Sequence, residues 1–183
     1  MRIKALVLAG GRSRRFGGDK ALALLEGRAL VEHVMGAFAG LPVAISGGDD
    51  PGRLAGFGVT VLGDGEWTGQ GPLAGLAAGL EWAADADVLV TAPCDTPFLP
   101  PGLAGRLLPA PAYARCRRDH FLVASWRTDD GGRLREMLRG GERKVEGFSR
   151  AVGARPVLFE DDGRVFRNIN YREDLAAAER DSA

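Results

Sequence analysis

At 183 residues and 19.4 kDa the chain can bury one proper core, so a single domain over residues 1–183 is expected. Its 24 Lys and Arg balance 24 Asp and Glu, leaving no overall field to draw in a nucleic acid or a membrane surface. Two cysteines and two histidines without ligand spacing exclude a disulfide framework and a zinc site. With no signal peptide and no bilayer-long apolar run, a cytoplasmic protein is expected.

The first element is an apolar run without polar alternation, Ala5 to Ala9, which predicts a strand buried on both faces, as in a parallel sheet. It breaks at Gly10-Gly11 and leads into Arg12, Arg14, Arg15 and Lys20, set among glycines and small residues. Glycine lets backbone N–H groups come close to an anion, successive amides in a turn form a concave anion site, and the cations add full charge. The stretch predicts a triphosphate cradle at the carboxyl end of the first strand. Two commoner phosphate loops do not fit. Gly17-Gly18-Asp19-Lys20-Ala21 lacks the Gly-Lys-Ser/Thr ending of the Walker pattern, and Gly10-Gly11-Arg12-Ser13 fails the dinucleotide fingerprint at its third position. Lysine occurs elsewhere only as Lys4 and Lys144, which singles out Lys20 as a compact point charge that arginine replaces poorly.

Leu22 to Leu25 is a short apolar segment, and Glu26-Gly27-Arg28 turns it into a helix from about Ala29 to Phe38. Val43 to Ile45 predicts the second strand, Gly47 to Gly52 a turn with a short helical piece after it, and Gly58 to Leu62 the third strand. A second glycine-rich loop, Gly63 to Pro72, opens a small-residue helix through Trp82, in which Gly75, Ala78 and Gly79 permit close packing on the sheet. Asp87 to Ala92 is the fourth strand, ending at Pro93-Cys94-Asp95-Thr96-Pro97, and Pro100-Pro101 opens a helix to about Leu108. This alternation means parallel βαβ units. Tyr113–Cys116 and Phe121–Trp126 then read as two strands about the polar turn Arg117-Arg118-Asp119, placing an antiparallel strand at one edge of a mixed sheet. Helices come next at Gly132–Arg139 and Lys144–Val152, then a strand at Arg155–Phe159, and a last helix from about Arg172.

Ligands of open α/β sheets bind outside the carboxyl ends of the strands, where strand order reverses. With strands one and four as neighbours, the glycine loop and Asp95 would face one crevice. Asp95 then reads either as a lone carboxylate ligand for Mg²⁺ beside a triphosphate or as a turn residue capping the Pro97–Leu108 region. Cys94 reads as a small buried residue, and His33 and His120 as packing or surface residues.

The run Leu8 to Lys20 resembles the signature loop of nucleotidyltransferases with a GT-A-like fold, and the chain as a whole resembles their molybdenum cofactor guanylyltransferases, the MobA family. The likeness continues through Gly71-Pro72-Leu73-Ala74-Gly75, Pro93 to Pro100, Gly141-Glu142-Arg143-Lys144-Val145, and Asn168-Ile169-Asn170 before Glu173-Asp174-Leu175. It implies a three-layer α/β/α, Rossmann-like domain with a mixed, mostly parallel sheet. The implied reaction transfers GMP from GTP to the phosphate of molybdopterin cofactor, giving the guanine dinucleotide and pyrophosphate. Molybdenum-insertion proteins and acceptor molybdoenzymes or their chaperones would be partners.

Carried onto this chain, the resemblance sets Leu8, Ala9 and Gly10 against the nucleotide, Arg15 and Lys20 on the phosphates, Asp64 on the nucleotide, Asp95 on Mg²⁺, and Asn170 near the metal or acceptor. Arg143 and Lys144 are candidates for the acceptor's phosphate. The family's Asn-x-Asn-Thr-Pro reads Asn168-Ile169-Asn170-Tyr171-Arg172 here, and Ser46-Gly47-Gly48 stands where the family often has an asparagine. Ala9-Gly10-Gly11 favours a guanylyltransferase, since cytidylyltransferase relatives carry Ala-Ala-Gly and leave less room for a purine. The rivals are a relative using CTP or another phosphorylated acceptor, and a non-catalytic carrier of molybdenum cofactor.

Overall fold

The structure, a computed structural model, describes residues 1–10, 16–160, 162 and 164–180. The first strand, β1 (Ile3–Leu8), is apolar and buried from Ala5 onward because it is covered on both faces there, while Lys4 near its start pairs with Asp85. A hairpin of β2 (Leu24–Leu25) and β3 (Arg28–Ala29) comes next, closed by Glu26 and Gly27 with φ of 51° and 75°. Two positive φ values in a two-residue loop match the twist of the flanking strands. It leads into α1 (Leu30–Gly36), whose Glu32 carboxylate accepts from the Ala29 N–H at 2.8 Å. Then β4 (Val43–Gly48) leads through a 3₁₀ turn, Pro51–Phe57, to β5 (Thr60–Gly63) and α2 (Pro72–Trp82). Beyond these lie β6 (Val88–Pro93), the short α3 (Leu103–Arg106), β7 (Ala112–Cys116), β8 (Arg118–Arg127), α4 (Gly131–Arg139), α5 (Val145–Ala151), β9 (Arg155–Leu158) and α6 (Arg172–Arg180).

The seven long strands form one sheet in the order β5-β4-β1-β6-β8-β7-β9. β1 pairs in parallel with both β4 and β6, so the chain winds outward to β5, returns, and restarts on the other side of β1. That reversal puts the carboxyl ends of β1 and β6 side by side. Leu6 and Leu8 pack with α2, α4 and α5, whereas Ala5 and Val7 pack with α1 and α3, giving three layers. No helix among the described residues is long and apolar enough to cross a membrane.

The antiparallel strand is not at the edge. β8 lies between β6 and β7, antiparallel to both, and β9 adds a parallel strand outside β7. Val123 to Trp126 are accordingly buried, as expected of a strand covered on both faces. The hairpin turn is also tighter than the sequence indicates: Cys116 pairs with Arg118 about Arg117 alone, at φ 30°. Between Tyr113↔Ala124 and Ala114↔His120 the register jumps, so Phe121, Leu122 and Val123 bulge out of the ladder. Bulges re-aim side chains, and here Leu122 turns toward the ends of β1 and β6.

Candidate active site

A cavity of about 360 Å³ opens where β1, β4, β5 and β6 end. It is lined by Leu8 and Gly75, by Lys20, Asp95 and Leu122, and by Asp49 and Asp64. The cavity joins residues from separate elements because each strand of a parallel sheet delivers its next loop to the same rim.

Two glycine contacts set its shape. A Cβ on Gly10 would lie 3.0 Å from the Gly48 Cα, and one on Gly48 would lie 2.7 Å from the Gly10 Cα. The exits of β1 and β4 touch backbone to backbone, so packing against Gly48 favours glycine at position 10. Gly48, in the segment where the resembled family often has an asparagine, is what permits that approach. On the other side, a Cβ on Gly75 of α2 would collide with the Ser46 Oγ.

The charged centre is a connected network. Lys20 Nζ donates to Asp95 Oδ2 at 2.6 Å and to Asn170 Oδ1 at 3.2 Å. Asn168 Nδ2 donates to the other Asp95 oxygen at 3.1 Å, and its own Oδ1 accepts from Arg118 at 2.7 Å. The Asp95 carbonyl accepts from the Ile169 N–H at 2.8 Å, pinning the Asn168–Asn170 segment to the end of β6. In an extended segment, residues two apart share a face. Asn168 and Asn170 therefore reach the same centre. Tyr171-Arg172 does not undo this geometry, because the Asp174 carboxylate accepts from the N–H groups of Asn170 and Tyr171 at 2.8 and 2.9 Å.

Asp64 is 9% exposed, and burial, with the Asp49 charge in second place, pushes its pKa up. The Cys94 thiol, also buried, is pushed up to about 12, which leaves it an unreactive packing residue. Ala9 is buried, its N–H bonded to the Ser46 carbonyl at 2.8 Å and its carbonyl accepting from Arg53. Of the expected site residues, Leu8, Gly10, Lys20, Asp64 and Asp95 line the cavity, Ala9 underlies it and Asn170 joins through Lys20. Arg15 lies outside the described residues. Arg53, Asp49, Asn168, Arg118 and Leu122 enter from positions that local spacing does not single out, although Asn168 stands two residues before Asn170.

A second cavity, of about 440 Å³, adjoins the first and shares Pro72, Pro93 and Leu122 with it. Arg118, Arg143, Lys144 and His120 line it together with Asp119 and Glu146, which leaves it mildly basic. Burial, reinforced by the Arg118 charge, pushes the His120 pKa down, so the arginines and lysine carry the positive charge. Glu142 caps the entry to α5 by accepting from the Arg143 and Lys144 N–H groups, each at 2.8 Å. The arrangement suits two phosphorylated molecules held end to end, with a cation and a carboxylate between them.

The family of MobA-like NTP transferase domains matches residues 5–160. A molybdenum cofactor guanylyltransferase of Acidiphilium cryptum (strain JF-5) is 46% identical over 184 aligned residues, covering 97% of this chain and 94% of that one. One of Rhodobacter capsulatus is 44% identical, covering 98% and 96%. Among solved structures, a molybdopterin-guanine dinucleotide biosynthesis protein A of Archaeoglobus fulgidus superposes with a TM-score of 0.78 at 22% identity, covering 98% of each chain.

Proposed function

We propose, for a chain that belongs to the family of MobA-like NTP transferase domains, that it transfers GMP from GTP to the phosphate of molybdopterin cofactor. The products are the guanine dinucleotide form and pyrophosphate. The observation that carries this is the Lys20–Asp95–Asn168 network, set where a triphosphate cavity meets a basic one.

GTP takes the first cavity, with its base toward Asp64 and Asp49. A carboxylate only accepts hydrogen bonds, and guanine offers N–H donors on the edge where cytosine and adenine present a ring acceptor. Lys20 sits on the phosphates and offsets the charge that grows as pyrophosphate leaves, with Arg15 assigned beside it by the family resemblance. The acceptor takes the second cavity, its terminal phosphate drawn by Arg118, Arg143 and Lys144. An oxygen of that phosphate attacks the α-phosphorus of GTP, the bond from the α-phosphorus to the bridging oxygen breaks, and pyrophosphate departs with the electron pair. The nucleophile is already an anion, so no side chain is needed as base, and catalysis is positioning with charge neutralisation.

Asp95 suits Mg²⁺, which is held by one or two carboxylates with substrate phosphates supplying further oxygens. Among the described residues no three His, Cys, Asp or Glu side chains form a cage, and a single rim carboxylate beside a phosphate site matches that mode of holding. When bound there, Mg²⁺ would neutralise phosphate charge at the reacting centre. Asn168 and Lys20 orient the Asp95 carboxylate from its two oxygens. A GTP-consuming synthesis of this kind belongs in the cytoplasm, where molybdenum-insertion proteins and acceptor enzymes or their chaperones would supply and take the cofactor.

The test is pyrophosphate release with Mg²⁺ and purified molybdopterin cofactor, comparing GTP, CTP and ATP. Pterin-dependent release with GTP alone is expected. Release with CTP alone overturns the base assignment, and no release with any nucleotide overturns the enzyme.

A further inference from the structure

The side chain that ties the phosphate loop to the sheet is Arg53, in the 3₁₀ turn after β4. Its guanidinium donates to three acceptors from three separate segments. Nη1 pairs with the Asp19 carboxylate, and Nη2 bonds the Ala9 carbonyl at the end of β1 and the Gly47 carbonyl of β4, the last at 3.3 Å. The side chain is only 20% exposed. Carbonyl oxygens at neighbouring strand ends crowd partial negative charge together, and a planar fork of five N–H groups can satisfy them at once where an ammonium cannot.

Asp19 passes this anchoring on. Its Oδ1 accepts from the Ala21 N–H at 3.1 Å and so caps the 3₁₀ turn Lys20–Leu22, while its Oδ2 takes the guanidinium. Lys20 is the first residue of that turn, and its ammonium lies 2.6 Å from Asp95. The path runs from the end of β4 through Arg53 and Asp19 to the turn, and through Lys20 to Asp95. Leu54, fully buried beside Arg53, seats the 3₁₀ turn in the core. The turn comes this close because a Cβ on Gly47 would lie 2.6 Å from the Pro51 Cα, an approach only glycine allows. Arg53 is also electrostatically part of the crevice, since its charge, like that of Lys20, opposes the upward shift of the Cys94 thiol.

We infer that Arg53 is a positioning residue for the transfer, acting through Asp19 to hold the Lys20 ammonium where the phosphates and Asp95 need it. The inference deepens the nucleotide-site reading and rests on it for its kinetic consequence, though not for the geometry. Partners that orient a reacting group are worth about 10–100-fold when removed, by analogy with the outer shells of metal sites.

The experiment compares Arg53→Met and Arg53→Lys, each with and without Lys20→Met, reading turnover of GTP with molybdopterin cofactor, thermal unfolding, and hydrogen exchange at the Ala21 amide. Arg53→Met is expected to lower kcat about 10–100-fold, with a smaller change in the KM for GTP and faster Ala21 exchange, and Arg53→Lys to recover part of each. Lys20→Met should cost a smaller factor in the Arg53→Met background than alone, since residues acting as one unit are not additive. Equal factors in both backgrounds, or an effect confined to thermal unfolding, overturn the inference and leave Arg53 a structural residue. If the wild type turns over no nucleotide, the proposed reaction fails by itself, while unchanged Ala21 exchange in Arg53→Met still decides against the anchoring.

Discussion

The two carboxylates of the cavity differ in their partners: side-chain donors meet Asp95, whereas Asp64 is buried near another carboxylate. Asp95 accepts from Lys20 through one oxygen and from Asn168 through the other, so both oxygens are engaged by the protein itself. Asp95→Asn keeps the shape and removes the charge, so pyrophosphate release should fall by about 10²–10³ with the circular dichroism of the wild type retained. Asp64 instead carries its charge at a cost, because burial and Asp49 both disfavour it. Its folded-state pKa lies above the unfolded one. Relief is therefore complete below the ordinary aspartate range and lost as pH rises through the shifted value. Asp64→Asn should then unfold at a higher temperature than wild type near neutral pH, with the gain shrinking in acid, and should discriminate less well between GTP and ATP. Thermal melts across pH and paired kcat/KM values check both halves, and a variant that is no more stable at neutral pH would refute the burial argument.

At the scale of elements, the site depends on how tightly α2 and β8 lie on their neighbours. An Ala at Gly75 would press on the Ser46 Oγ and, at 3.2 Å, on the Leu8 Cδ2, and both residues line the nucleotide cavity. Overpacking of about 1–3 kcal/mol should exceed the ~1 kcal/mol that alanine adds to a helix interior, so Gly75→Ala should melt earlier and show a raised KM for GTP. The bulge in β8 has its own support. The Thr91 hydroxyl donates to the Leu122 carbonyl at 2.9 Å and accepts from the Trp126 indole N–H at 3.1 Å. Thr91→Val strands both partners in a buried setting, at about 1–3 kcal/mol by denaturant unfolding, and loosens Leu122 over the cavity. The strands of the main sheet are legible, because both-face burial leaves unbroken apolar runs such as Ala5–Ala9. The two-residue strands of the β2–β3 hairpin are not, and the helix expected from Pro100 shrinks to Leu103–Arg106. The bulge is not legible either, since Phe121-Leu122-Val123 is as apolar as a regular strand and only the partner's register shows the slip. The interior place of β8 is hidden for a related reason: nothing in the two runs tells which strand of the β7–β8 hairpin pairs with β6, and it is the second that does.

For the molecule as a whole, sequence reading found the ends of the crevice and missed its cross-links. Lys20 and Asp95 stand out because each comes after a strand at a glycine- or proline-marked break, whereas Asp64 comes from the family resemblance alone. Arg53 and Arg118 do not stand out, since a lone arginine in a polar turn looks solvated until the fold brings its acceptors to it. The network spans most of the sequence: Lys20 and Asn170 meet across 150 positions. All seven strands of the sheet are complete by Leu158, so a chain ending at Phe159 should retain the sheet while leaving Asp95 without its amide partner and Lys20 without Asn170. Such a truncation should keep most of its strand signal in circular dichroism and lose pyrophosphate release. This arrangement also bears on synthesis at the ribosome, where residues emerge from one end. The clasp on Asp95 is supplied by residues made after the last strand of the sheet. A translation product interrupted before Asn168 is therefore expected to fold its strands yet consume no GTP, so that an unfinished chain would be idle rather than wasteful.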